Sequence, residues 1–390
     1  MVSFHLRLLC SGLICSLVLV GCGDDPSNIG LGLVDVQAGE PVLVTLVPTS
    51  FETSSDADIT GGFLAVTLLR EGANRFLVGT TVDPALGTLT AEGRLSFVAL
   101  EAASDDFRNG PVSSVVLTMD LNYVYGDTLT PITVRLSSIS DEWSAAGTRA
   151  DTVLNVGASI MEIELDPTAD LAEIELPSTW VSANDVLLRS ETFSSDFRGF
   201  HLSHVDGNAV VGVSAGNSFL SIAVPGDTLR VSVEKILTTV SRDASATPAE
   251  FLLLQDGIDI IAVELDFETD EILNNLIHHA LFRLNTALPM LDTPTGFSRP
   301  QLTNMDLVAI TGSDEFRTVL AEGQVDDDGI LTFQSTNLSI AMQNTVLGRG
   351  DLVRFELHAP IEDNSLDFVF FERNSGAGGP RLILTVTEVR

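Results

Sequence analysis

The chain is almost without lysine. Lys235 is the only one in 390 residues, and 54 acidic residues face 20 basic ones, a formal net charge of −34. That balance excludes functions in which a basic surface neutralises phosphates, so nucleic acid is not an expected partner and no basic membrane patch is expected. It fits adaptation to high salt, where screening shortens the reach of self-repulsion. Acidity from an arginine-preferring genome is the other source of the same composition. Cysteine is also scarce: Cys10, Cys15 and Cys22 are all there is. No apolar run is long enough to cross a bilayer. The best one, Leu8–Val20, has 13 residues and is interrupted by Cys10, Ser11, Gly12, Cys15 and Ser16, where about twenty apolar residues are needed. Two Trp and two Tyr leave little aromatic surface for stacking on sugars, and the 20 Phe belong to cores.

What stands at the N-terminus is a secretory signal followed by a lipid-attachment box. Arg7 precedes the short apolar run, and small residues follow it. Leu19-Val20-Gly21-Cys22 then gives two apolar residues, a small one and a thiol. A diacylglyceryl thioether needs that thiol, and cleavage before Cys22 frees an amine for a further acyl chain. Two or three acyl chains hold a protein on a membrane at about 0.8 kcal/mol per buried methylene. Cys22 is therefore the expected lipid attachment site. A mature chain from 22 to 390 keeps no other cysteine, which leaves no disulfide, thiol nucleophile or Cys-ligated metal.

Beyond the anchor the pattern is period two. In "VVLTMDLNYVY", Leu117, Met119, Leu121 and Tyr123 share one face, and Thr118, Asp120 and Asn122 share the other. "ITVRLSSI", "TLRVSVEKIL", "LVRFELHA" and "PRLILTVTEV" alternate in the same way, as half-buried antiparallel strands do. "VDGN", "VPGD" and "VDDDGI" supply turns. Helical patterning is scarce, with "TDEILNNLIHHALFRL" (269–284) the best candidate, although its second half also reads as strand. The expected fold is all-β: two antiparallel β-sandwich, jelly-roll-like domains in tandem. The expected divisions are a signal peptide 1–21, a tether 22–40, a first domain 41–241, a linker 242–249 and a second domain 250–390. The halves echo each other: "PITVRLSSISDEW" parallels "PQLTNMDLVAITGSDEF", and duplication of one sandwich is the economical reading.

The lipobox Cys22, the "SNIGLGLV" tether, "SDEW", "FRGFHLSHVDGN" and the closing "PRLILTV" together resemble a family of Bacteroidota surface lipoproteins catalogued as a domain of unknown function. "SDEWSAAGT" and "FFERNSGAGGPRLILTV" are similar to DNRLRE-type jelly rolls, some of which bind carbohydrate. The resemblance implies β-sandwiches at the cell surface and carries over no catalytic residue. Asp24-Asp25 after Cys22 is similar to the acidic signal that sends such lipoproteins to the outside of the outer membrane.

Motifs for chemistry are weak. Gly212-Val213-Ser214-Ala215-Gly216 is a formal G-x-S-x-G, but a nucleophile elbow needs a helix after it and "NSFLSIAV" follows. His201 and His204 face apart on a strand, as do His278 and His279, so neither pair chelates one metal. Asp326-Asp327-Asp328-Gly329 reads as a hairpin turn; its acids lack the alternating ligand spacing of a calcium loop. Trp180, in the loop-like "ELPSTWVSAND", is the one candidate ligand contact. The expected function is a non-catalytic structural or interaction module without cofactor, lipid-anchored on the outer membrane, with a surface protein or glycan as partner. Glycan capture is the alternative and a hydrolase the remote one.

Overall fold

A computed structural model describes residues 40–54, 75–84, 86–100, 103–143, 155–243, 250–269, 272–273, 275–287, 293–360, 365–373 and 379–387. Cys22, the signal and the tether lie outside them. The fold is mostly β, at 59% strand against 10% helix, in two antiparallel sheets, so the all-β expectation holds. In chain order the strands are β1 Val42–Leu46, β2 Ser50–Ser54, β3 Arg75–Asp83, β4 Gly87–Phe97, β5 Ser114–Asp127, β6 Ile132–Ile139 and β7 Val156–Leu165. There follow β8 Leu171–Glu175, β9 Phe200–Asp206, β10 Ala209–Val224, β11 Asp227–Arg242, β12 Phe251–Gln255, β13 Ile260–Glu264 and β14 Leu276–Ala287. The last are β15 Phe297–Ser298, β16 Asn304–Thr311, β17 Phe316–Val325, β18 Ile330–Gln334, β19 Leu352–His358, β20 Phe368–Glu372 and β21 Arg381–Thr387.

The first sheet runs β15-β5-β10-β11-β4-β9-β6-β7, with β8 on β5. Strand β3 bridges β10 and β4, so the path β10-β3-β4-β11 returns to β10. A flat sheet cannot close such a circuit. It closes here because β10 bends: its pairing with β5 shifts between Ser214 and Phe219, so that its first half meets β3 and its second half meets β11. The second sheet runs β1-β21-β14-β18-β17-β16-β19-β13-β2, with β20 joining β12 to β14. Its two edge strands, β1 and β2, are separated by only Val47, Pro48 and Thr49. Nine flat strands would put those edges about 38 Å apart, while that connection reaches about 14 Å at most. The sheet therefore curls until its ends approach.

Each sheet encloses its own core. One cluster, from Phe76 to Ile236, includes Leu95, Phe97, Leu136, Phe200 and Leu202. The other draws on Val44, Leu46 and residues from Leu252 to Val386. A third cluster joins the units, with Leu77, Tyr125 and Val210 of the first against Leu253, Leu366, Phe368 and Phe370 of the second. Polar groups in this seam are paired. Arg242 donates to both oxygens of Asp259 at 2.7 and 2.8 Å and to Gln255 at 3.1 Å. Arg299 donates to both oxygens of Asp83 at 2.8 and 3.0 Å, and the Tyr125 hydroxyl donates to the same carboxylate. Tyr123 donates to Asp367 at 2.9 Å.

Strands before 242–249 pair in the first sheet and strands after it in the second, with three exceptions: β1 and β2 pair in the second sheet, and β15 pairs with β5 in the first. Within 269–284, the best helical candidate, Leu276 onward is strand, the other reading of that second half. A register shift between Ile277 and His279 interrupts its alternation. The longest helix described is Thr336–Val346 instead, capped by the Ser335 hydroxyl accepting from Leu338 N.

Candidate functional site

The most site-like cluster lies on the face of the first sheet turned away from its core. Alternation sets it up. On β4, Leu95 and Phe97 enter the core, so Glu92, Arg94 and Ser96 take the other face. On β9, Phe200 and Leu202 enter the core and His201 takes the other face. Register aligns them: Leu237 of β11, Arg94 of β4, His201 of β9 and Ser137 of β6 form one row across the sheet. Gly199, at φ +103°, leads into β9, and a Cβ there would sit 2.0 Å from Leu95 O. Only glycine allows β9 to come this close to β4.

An outward face normally meets water, yet this one is covered. Arg94 is 5%, Ser96 3% and His201 4% exposed. Beside them Ile139, Trp143 and Leu237 form a small apolar cluster. The Trp143 indole donates to Arg198 O at 2.8 Å, and the Lys235 ammonium stands 5.6 Å from its ring centre. His201 Nε2 lies 3.1 Å from Glu92 Oε2. That hydrogen bond holds the Glu92 carboxyl below its ordinary range. Burial pulls Arg94 below its ordinary value, partly offset by Glu92. The unusual feature is what lacks a partner: Arg94 Nε and Nη1, Ser96 Oγ and His201 Nδ1 are buried and make no hydrogen bond. Buried polar groups are nearly always paired, so four orphans on three neighbouring residues set this cluster apart from the paired ones.

A second outward cluster is fully paired. Glu356 of β19, side chain 0% exposed, receives Arg354 at 2.7 and 2.9 Å and lies 2.9 Å from His358 Nε2, with Arg317 at 3.6 Å. These contacts outweigh burial and leave its carboxyl below the ordinary value.

The residues singled out by sequence are dispersed. Trp180 sits on the helix Ser178–Asn184, not in a loop, half-buried with its ring 5.8 Å from Phe200 and 6.1 Å from Phe197. Ser214 is 3% exposed in mid-strand, its carbonyl accepting from the Ser218 hydroxyl, and strand continues to Val224. His204 bonds Gly207 O and His278 meets Thr387 Oγ1, so they share no partner with their neighbours His201 and His279. Asp326 accepts from the backbone of Asp328 and Ile330 as the hairpin reading expects. Among the described residues no group of three metal-ligating side chains is gathered. Arg94 and Ser96 went unread because "GRLSF" alternates like any strand with a wet face.

No family model matches the chain, and no curated protein matches it. The resemblance to Bacteroidota lipoproteins therefore gains no family assignment. Among solved structures the chain is similar to the N-terminal CBM22-1-CBM22-2 tandem domain of Paenibacillus barcinonensis Xyn10C. Identity is 8%, coverage 86% of this chain and 100% of that one, and the TM-score 0.13. It is also similar to the Macrobrachium rosenbergii nodavirus structure, at 8% identity, covering 90% and 92%, with a TM-score of 0.11. At such scores neither likeness bears on function.

Proposed function

We propose that the chain is a non-catalytic binding protein, displayed on the outer membrane by a lipid at Cys22. The observation that carries the binding part is the orphaned Arg94–Ser96–His201 cluster, set on a frame whose other buried charges are paired. A guanidinium stays protonated at neutral pH, so the cluster is suited to holding a group in place. The seam of apolar residues and paired charges makes the two units one support for it. The display part rests on Leu19-Val20-Gly21-Cys22 behind a short apolar run.

Labelling cells with an alkyne palmitate analogue tests the display. Label should appear on the wild-type protein, vanish in Cys22→Ser, and coincide with loss of membrane retention. An unmodified Cys22 in the mature protein, seen by mass spectrometry, would end the anchor reading.

A further inference from the structure

We infer that Arg94, Ser96 and His201 bind a hydroxylated carboxylate, the chemistry of a sugar acid. The inference rests on the reading of the chain as a binding protein and names what is bound. Hydrogen-bond polarity gives the ligand's pattern. Arg94 Nε and Nη1 are donors without an acceptor, and Ser96 Oγ can donate beside them. His201 is different. Its Nε2 faces the Glu92 carboxylate at 3.1 Å. A carboxylate only accepts, so a ring proton sits on Nε2, and in that tautomer Nδ1 is the acceptor. The ligand must therefore bring acceptor oxygens to Arg94 and Ser96 and a donor to His201. A carboxylate with a neighbouring hydroxyl supplies both.

Charge agrees. Arg94 and Lys235 bring two positive charges to the cluster and Glu92 one negative, so a monoanion closes the balance while a dianion meets Glu92. The only lysine of a strongly acidic chain stands at this cluster, beside Trp143. At Glu92, whose side chain is 41% exposed, the cluster reaches the surface. Stability supplies a second test. A buried cation without a hydrogen-bond partner weakens the empty protein, so its removal should strengthen the fold while abolishing the site. A guanidinium kept only for structure would do the reverse.

Titration calorimetry on the full mature chain in detergent tests this with D-galacturonate, with galactose lacking the carboxylate and acetate lacking the hydroxyls. Galacturonate should bind saturably and about tenfold or more tighter than either comparator, one charge-assisted hydrogen bond being worth that much. Arg94→Met should weaken galacturonate at least about tenfold and raise the melting temperature of the ligand-free protein. Ser96→Ala should weaken binding by a smaller factor with little change in melting. Absence of saturable galacturonate binding, at a cluster then filled by water alone, would overturn the site. Tighter binding of galactose would overturn the ligand class and leave the binding-protein reading standing. Unchanged binding in Arg94→Met with a lowered melting temperature would make the arginine structural. The Cys22 label reports on display independently of all these outcomes.

Discussion

Each unit carries a buried charge on the sheet face turned away from its core, and the two are treated in opposite ways. In the second unit the charge is Glu356, and Arg354, His358 and Arg317 converge on it. In the first unit the charge is Arg94, and its Nε and Nη1 meet nothing. Sequence makes them look alike, since Glu92-x-Arg94 and Arg354-x-Glu356 both put opposite charges on one strand face. The difference lies in the neighbours. Glu356 gathers its partners along its own strand and from β17 nearby, whereas Glu92 is occupied by His201. A completed cluster stabilises; an incomplete one carries a cost.

The largest effect should come from breaking the completed cluster. Glu356→Ala leaves His358 without its carboxylate and Arg354 with only the half-exposed Glu315, both side chains being largely buried. Removing one partner of a buried ionic group costs about 3–5 kcal/mol. Urea unfolding should show a loss of that size, with the opposite sign to Arg94→Met. A loss under about 1 kcal/mol, the range of surface pairs, would mean that the two clusters do not differ as described.

That contrast also marks how far the sequence could be read. Alternation identified β5, β6, β11, β19 and β21 because each has one face in a core and one polar face. The placement of β1 and β2 was not legible, since their partners lie hundreds of residues downstream and pairing at that distance leaves no local trace. The site was hidden for a related reason. Period two says that Arg94, Ser96 and His201 share a face, but not that the face is covered or what fails to reach them. Trp180 misled in the other direction: a Pro-Ser-Thr lead-in reads as loop and begins a helix here.

Acid should affect Glu356 and Asp259 in opposite directions. The Glu356 carboxyl lies below its ordinary 4.5 in the fold, held there by His358 and Arg354 against burial. A carboxyl depressed on folding contributes stability above its unfolded value and loses it as pH falls through the folded one. Asp259 goes the other way. Burial raises it despite Arg242, so its contribution is greatest at low pH and diminishes as pH rises through the folded value. Wild-type stability should therefore fall below pH 4.5 more steeply than that of Glu356→Gln, and the two curves should converge in acid. Parallel acid limbs in urea titrations would show that Glu356 is not depressed.

Salt separates buried from exposed charge. Repulsion within a chain of net charge −34 acts over about 30 Å at 0.01 M salt and about 3 Å at 1 M. The compact state suffers more from it than the unfolded chain. The melting temperature should rise by a few degrees, equally in sodium and potassium chloride and equally in wild type and Glu356→Gln, because buried pairs are screened little. A flat series would assign the acidity to genome composition.

The smallest effect should come from Lys235, and its size decides how far the first cluster extends. The ammonium stands 5.6 Å from the Trp143 ring centre and is half-buried, near the outer limit of a useful cation–π contact. Such a contact is worth about 0.5–1 kcal/mol. Lys235→Met keeps most of the aliphatic stem, so it should cost no more than about 0.5 kcal/mol of stability. Its influence on galacturonate should be electrostatic: a severalfold weaker affinity at low salt that fades toward wild type as salt rises, since the charge lies at the rim. Arg94→Met should show no such recovery, because its donors are buried. A salt-independent loss in Lys235→Met as large as that of Arg94→Met would put the ammonium in direct contact with the ligand and extend the binding site from β4 and β9 onto β11.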